Sequence, residues 1–171
     1  AGADIGLIQS ITVPADGEAA AHRGRSIFER CRALRVPVVA AIEGPCLGGG
    51  FELALFCDVR VASDHPSTQI GLPEVKLGIL PGFGGTVNLT RLVGLPKALD
   101  LILAGKLLRG SAARKAGVID RLVPSAKLKQ AARDELERLA GKRRKAPKRT
   151  LRGLAYWLDR KSTRLNSSHS S

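Results

Sequence analysis

The run VPVVAAI at 36–42 is apolar almost throughout, and it leads into the glycine-rich GPCLGGG at 44–50 and the compact FELALFC at 51–57. A run this short, without polar alternation, fits a strand covered on both faces, and such strands belong to parallel sheets with helices packed on them. Glycine supplies the unusual dihedrals of a tight connection. FELALFC then reads as a buried helix. Strand, turn and helix in that order set an α/β fold as the expectation.

The flanking segments extend the rhythm. Residues 19–35 place Ile27, Cys31 and Leu34 at helical spacing among Arg and Glu, which predicts an amphipathic helix ending before Pro37. Val59–Ala62 and Thr68–Ile70 read as short strands divided by the turn Ser63–Ser67, giving a tight ββα repeat. Helices are predicted over 84–92 and 96–104, the second closed by Gly105, and a third is capped by Ser111 and stopped by Gly117. A short strand suits 118–123, and the chain ends helical over 125–141 and 150–160, where Leu151, Leu154, Trp157 and Leu158 share one side. The last stretch, KSTRLNSSHSS at 161–171, is polar and aperiodic, so it is expected to be disordered and stands out as a candidate non-native tail. Three parts follow: a core at 1–124, a basic helical segment at 125–160 and the tail at 161–171.

Composition narrows the function. At 171 residues and 44% hydrophobic content, the chain can bury one real core and is short for two. No apolar stretch approaches the roughly 20 residues a membrane-spanning helix needs, and AGADIGLIQS lacks a signal-like pattern, so an intracellular, cytoplasmic location is expected. A mitochondrial location would require a targeting segment upstream of Ala1. Cys31, Cys46 and Cys57 are odd in number and lack CxxC spacing, so they read as small buried hydrophobes rather than disulfides or a zinc site. His22, His65 and His169 form no HExxH pair, and no metal is expected. The net charge of +13 is a tail property, because residues 122–171 hold 14 basic and 4 acidic side chains. A run such as KRRKAPKR at 142–149 is usually a solvated face, and with aromatics at 4% there is little for bases to stack on, which counts against an RNA-binding role.

Two segments each set one glutamate beside glycine-rich backbone in otherwise apolar sequence: Glu52 in GPCLGGGFELALFCD and Glu74 in IGLPEVKLGILPGFGGT. Glu52 falls in the first turn of the predicted helix, where the partial positive charge of the helix start favours an ionised carboxylate and hence a base. Glu74 follows Leu72-Pro73 in a predicted loop, and its apolar neighbours should raise its pKa. Two carboxyls in unlike environments are what acid/base chemistry on one substrate requires. Gly48–Gly50 would leave helix-start N–H groups uncovered for an anionic oxygen. Neither GxxxxGK[ST] nor a dinucleotide-type GxGxxG is present, and PGFGGT at 81–86 reads as a tight turn that lets a helix pack closely.

Taken in order, AGADI at 1–5, VVAAIEGPCLGGGFELALFCDVRVAS at 38–63, GLPEVKLGILPGFGGT at 71–86, LTRLVG at 89–94 and LILAGKLLRGSAARKAGVIDRLVP at 101–124 resemble the crotonase (enoyl-CoA hydratase/isomerase) superfamily. Within it, ASDHPSTQIGLPEVKLG at 62–78 looks most like the hydratase domain of multifunctional fatty-acid oxidation alpha subunits. The resemblance implies a crotonase-like spiral of ββα units, truncated at its front and therefore exposing apolar surface. It implies that the N–H groups of Ala3 and Gly49 form an oxyanion hole for an acyl-CoA thioester, with Ala3, Asp4, Ile5 and Gly49 lining the substrate. Glu52 would activate water and Glu74 would deliver the proton, so both glutamates favour hydration over double-bond isomerisation. Coenzyme A would be part of the substrate, no separate cofactor would be used, and NAD would matter only to a following dehydrogenase domain. Homo-oligomers or a thiolase-containing complex are the implied assemblies. One departure is Gly6, where many hydratases have lysine.

Overall fold

The computed structural model describes residues 12–141. Helix α1 (Pro14–Ala33) opens the described part, with proline in its first turn and an extended Leu34 ending it. Proline suits a first turn because its missing N–H has no intrahelical partner there. Strands β1 (Val39–Ile42) and β2 (Pro45–Leu47) follow, then α2 (Gly49–Ala54). Next come β3 (Val59–Ser63), β4 (Gln69–Gly71) and a 3-10 turn at Glu74–Leu77. Helices α3 (Gly85–Val93) and α4 (Leu95–Leu103) lead to β5 (Leu107–Arg109), α5 (Gly110–Ala116) and β6 (Arg121–Val123). A 3-10 turn at Ser125–Lys127 then runs into α6 (Leu128–Leu139).

The strands form two small sheets. The first has the order β1-β3-β6, all parallel, with Val39 opposite Val59 and Val61 opposite Arg121. The second has the order β2-β4-β5, where Cys46 lies opposite Ile70 in parallel and Gly71 opposite Leu107 in antiparallel. Successive strands therefore alternate between sheets, β1 to β2 and β3 to β4, each pair followed by helix. This is the crotonase-like spiral of ββα turns. The third turn departs from the pattern, because α5 stands between β5 and β6.

Burial follows position in the sheets. β3 is central and buried at all five residues, whereas β1, which pairs with β3 alone among the described residues, leaves Ala41 exposed, so full cover of the 36–42 run is not realised. The main core gathers Phe51, Leu55, Ile70, Leu72, Leu89, Leu101 and Ile119 between the sheets and helices. Each such side chain contributes about 1.5–3 kcal/mol by leaving water. A second cluster joins Val59 and Val61 to Leu128 and Ala131, which lays α6 on the first sheet.

Five sequence expectations change. The predicted face of α1 is largely exposed, since Ile27 and Leu34 lie open and α1 buries no residue fully. Phe28 makes the contacts instead, edge-on to Phe56 and Phe83, because aromatic rings just after α2 and just before α3 draw that side of the helix inward. Ser111 lies within α5 rather than capping it, as Arg109 precedes the helix and no side chain caps it. Residues 45–47 pair as a strand although they read as turn, and Glu74 heads a 3-10 turn rather than a loop. The cysteines also divide: burial pushes the Cys46 thiol up to about 11, while Cys31 and Cys57 are half-buried. The basic run at 142–149, the helix predicted at 150–160 and the tail at 161–171 lie outside the described residues.

Candidate active site

Glu52 sits in the first turn of α2 with 2% of its surface exposed. Its carboxylate is held by another element: Oε1 accepts hydrogen bonds from the backbone N–H groups of Phe83 and Gly85, both at 2.8 Å. Gly85 is the first residue of α3 and Gly84 precedes it at φ 104°, a left-handed conformation suited to glycine. A Cβ on Gly85 would stand 2.8 Å from Glu52 Oε1, so glycine is what lets the helix start approach the carboxylate. PGFGGT is thus a carboxylate cradle as well as a tight turn. The signal was in the sequence, since it is a second glycine-rich entry to a helix.

The ionised Glu52 expected from its own helix is corrected. Burial pushes its pKa up to about 7, against the lowering effect of the Gly85 N–H, with repulsion from Glu74 adding to the rise and the Phe83 N–H opposing it. Desolvation of a nearly enclosed carboxylate outweighs two hydrogen bonds and the helix-start field. Glu74 behaves as its apolar neighbours predict, its pKa raised chiefly by burial. Its Oε2 is enclosed and lacks a hydrogen-bond partner among the described residues. A buried carboxyl oxygen without a partner is costly, by about 1–3 kcal/mol, which marks a site built for something other than stability.

The two glutamates meet at the glycine turn. A Cβ on Gly48 would lie 3.4 Å from Glu74 Oε1, so that carboxyl packs against the turn that starts α2, and Gly48 itself has φ 53°. Gly48 donates its N–H to Gly71 at 3.0 Å and gives its carbonyl to Glu52 N–H at 2.8 Å, which locks the turn between β4 and α2. Gly49 begins α2, where helix geometry offers its N–H no carbonyl one turn back. Ala3, Asp4 and Ile5 lie outside the described residues. Among the described residues no group of three or more His, Cys, Asp or Glu could hold a metal, and no helix is long and apolar enough to cross a membrane.

The family model described as enoyl-CoA hydratase/isomerase matches residues 1–165. The chain belongs to that family. It is 49% identical over 153 residues to the fatty acid oxidation complex subunit alpha of Vibrio campbellii, a match covering 88% of this chain and 22% of the relative. The corresponding subunit of Idiomarina loihiensis is 46% identical over 159 residues, covering 93% of the chain and again 22% of the relative. The chain therefore spans about a fifth of these relatives. Among solved structures, an enoyl-CoA hydratase from Geobacillus kaustophilus aligns with a TM-score of 0.76 at 35% identity, covering 82% of this chain and 52% of that one. DspI from Pseudomonas aeruginosa aligns with a TM-score of 0.75 at 30% identity, covering 99% and 72%. The chain is thus homologous to a hydratase-type domain of the oxidation-complex alpha subunits.

Proposed function

We propose that the chain adds water across the 2,3 double bond of an enoyl-CoA thioester, with Glu52 as general base and Glu74 as general acid. One observation carries this reading. Two glutamates from separate elements, both with raised pKa, converge on the glycine turn that opens α2, close enough for Glu74 to act on Glu52. Surface carboxylates need no such enclosure.

In the reaction, the N–H groups of Gly49 and Ala3 hold the thioester oxygen and stabilise the enolate-like charge as it develops; losing one such donor costs roughly 10²–10³ in turnover. Asp4 and Ile5 would line the same side of the substrate. Glu52, ionised, takes a proton from water as its oxygen attacks C3. Both backbone donors fall on Oε1, so Oε2 takes neither and can face that water. Glu74, protonated, delivers its proton to C2, and the product is a 3-hydroxyacyl-CoA. Proton count balances, since one water supplies both the hydroxyl and, through the carboxyls, the C2 hydrogen.

Hydration itself then uses no cofactor beyond the coenzyme A of the substrate, and NAD would serve only a dehydrogenase domain elsewhere in a longer protein. Residues 1–124 would carry the chemistry and 125–160 would lead onward. A cytoplasmic location and a homo-oligomer or thiolase-containing complex belong to the same proposal. Crotonyl-CoA tests it: the enoyl-thioester absorbance should fall with the complete protein, and folded Glu52→Gln and Glu74→Gln should each lose at least about 10²-fold. Full activity in both variants sinks the assignment. If Glu52→Gln abolishes hydration but spares 3-enoyl to 2-enoyl migration, the isomerase reading takes its place.

A further inference from the structure

We propose that α1 is a positioning strap for Glu52: its row Gly24, Phe28 and Arg32 seats the ring of Phe83 and so fixes that residue's backbone N–H on the Glu52 carboxylate. The inference rests on Glu52 being an acid/base group, and it adds a pair, Gly24 and Phe83, that the two-carboxylate mechanism does not contain.

Gly24, Phe28 and Arg32 recur every four residues and share one face of the helix. The helix backbone lies directly on the Phe83 ring, for a Cβ on Gly24 would stand 2.5 Å from Cε1 and 2.6 Å from Cδ1. Phe28 meets the same ring edge-on, with centroids 5.5 Å apart at 89°, and meets Phe56 at 5.9 Å and 62°. Arg32 places its guanidinium carbon 4.7 Å from the Phe56 ring centroid and donates to Asn88 Oδ1 at 3.1 Å. The row therefore grips three pieces around Glu52: the segment after α2 through Phe56, the cradle through Phe83, and α3 through Asn88.

Local sequence cannot hold Phe83 in place. It stands between Gly82 and Gly84-Gly85, which restrict the backbone least of all residues. Its ring is the one side chain between Pro81 and Thr86 that can be gripped from outside. A glycine inside a helix costs about 0.5–1 kcal/mol relative to alanine, and at position 24 that cost goes with room for the ring. Glu74, from the 3-10 turn, is the titratable group that acts on Glu52, while Arg32 of α1 is directed at Asn88 and Phe56. Loosening the Phe83 N–H removes one of the two donors that restrain Glu52's proton affinity, so that affinity must rise.

The test is Gly24→Ala in the complete protein, read by carbon-13 NMR titration of the Glu52 carboxyl and by kinetics on crotonyl-CoA. The Glu52 titration should move above its value of about 7. In the kinetics, kcat should fall roughly ten- to a hundredfold while KM stays within about twofold. Ser26→Ala, on an exposed position of the same helix, should move neither reading. Adding Phe83→Leu to Gly24→Ala returns space under the helix and should bring both back toward wild type. A folded Gly24→Ala protein that behaves like Ser26→Ala overturns the strap. If Gly24→Ala does not fold, Phe83→Ala decides: a raised Glu52 titration upholds the strap and an unmoved one overturns it. An inert wild type with a shifted Glu52 titration would defeat the hydratase reading and leave the strap standing.

Discussion

Glu52 is buried at a cost in stability, and the sign of that cost can be measured. Its pKa is raised from 4.5 to about 7 by burial, so the folded state binds its proton more tightly than the unfolded chain does. The stability this gives is fully present below pH 4.5 and is lost as pH rises through about 7. Glu52→Gln keeps an oxygen for the Phe83 and Gly85 donors and removes the charge. Chemical unfolding should therefore show the variant more stable than wild type at pH 8, by on the order of 2 kcal/mol, with the gain vanishing near pH 4. The reacting form needs Glu52 ionised and Glu74 protonated, so the kcat/KM profile should be bell-shaped, with one limb turning near pH 7. A flat profile from pH 6 to 8 would contradict the roles given to both.

At the scale of elements, the site depends on where two turns meet. Gly85→Ala should displace Glu52, because the new Cβ would fall 2.8 Å from Oε1 and 2.9 Å from Cγ with α3 fixed behind it. Turnover should drop about 10²-fold with little loss of far-ultraviolet circular dichroism. Wild-type kcat in that variant would show that the cradle tolerates a methyl group. The element order was largely readable: α3 at 85–93 and α4 at 95–103 fall within a residue of their predicted spans, and Gly117 stops α5 at φ 80°. These segments carry both periodicity and glycine stops, so local chemistry suffices. β2 and β5 have three residues each, too short for any period to register, and they exist because Ile70 of β4 pairs with Cys46 on one side and Leu108 on the other. The face α1 turns inward was misread for a related reason. Counting apolar residues picks Ile27 and Leu34, but the neighbours offer aromatic rings, which Phe28 and Arg32 fit better.

Across the whole molecule, one buried cation ties α2 to the C-terminal half. Arg60 on β3 is buried and reaches the carbonyls of Ala54 at 3.5 Å and Cys57 at 3.1 Å, while Asp120 meets its guanidinium at 2.6 Å and accepts its backbone N–H at 2.8 Å. Asp120→Ala would leave that guanidinium without its carboxylate. Because Asp120 is partly exposed and water can substitute in part, the expected loss is about 2 kcal/mol, below the 3–5 kcal/mol typical of fully buried pairs. Denaturant unfolding that shifts by less than a few tenths of a kcal/mol would show that the pair contributes nothing net.

The sequence by itself determined the α/β class and most of the helices and singled out the two candidate glutamates, because each is written in local signals: apolar runs, glycine stops, and carboxylates beside glycine. It could not place the carboxylates relative to each other. Glu52 and Glu74 come together only because β2 and β4 pair and Gly48 is tied to Gly71 across that pairing. Nor could it give the charge state of Glu52, which helix-start electrostatics makes an anion and burial, by raising its pKa to about 7, leaves partly protonated at neutral pH. Burial is a property of everything packed around a residue, and only the tertiary structure decides it.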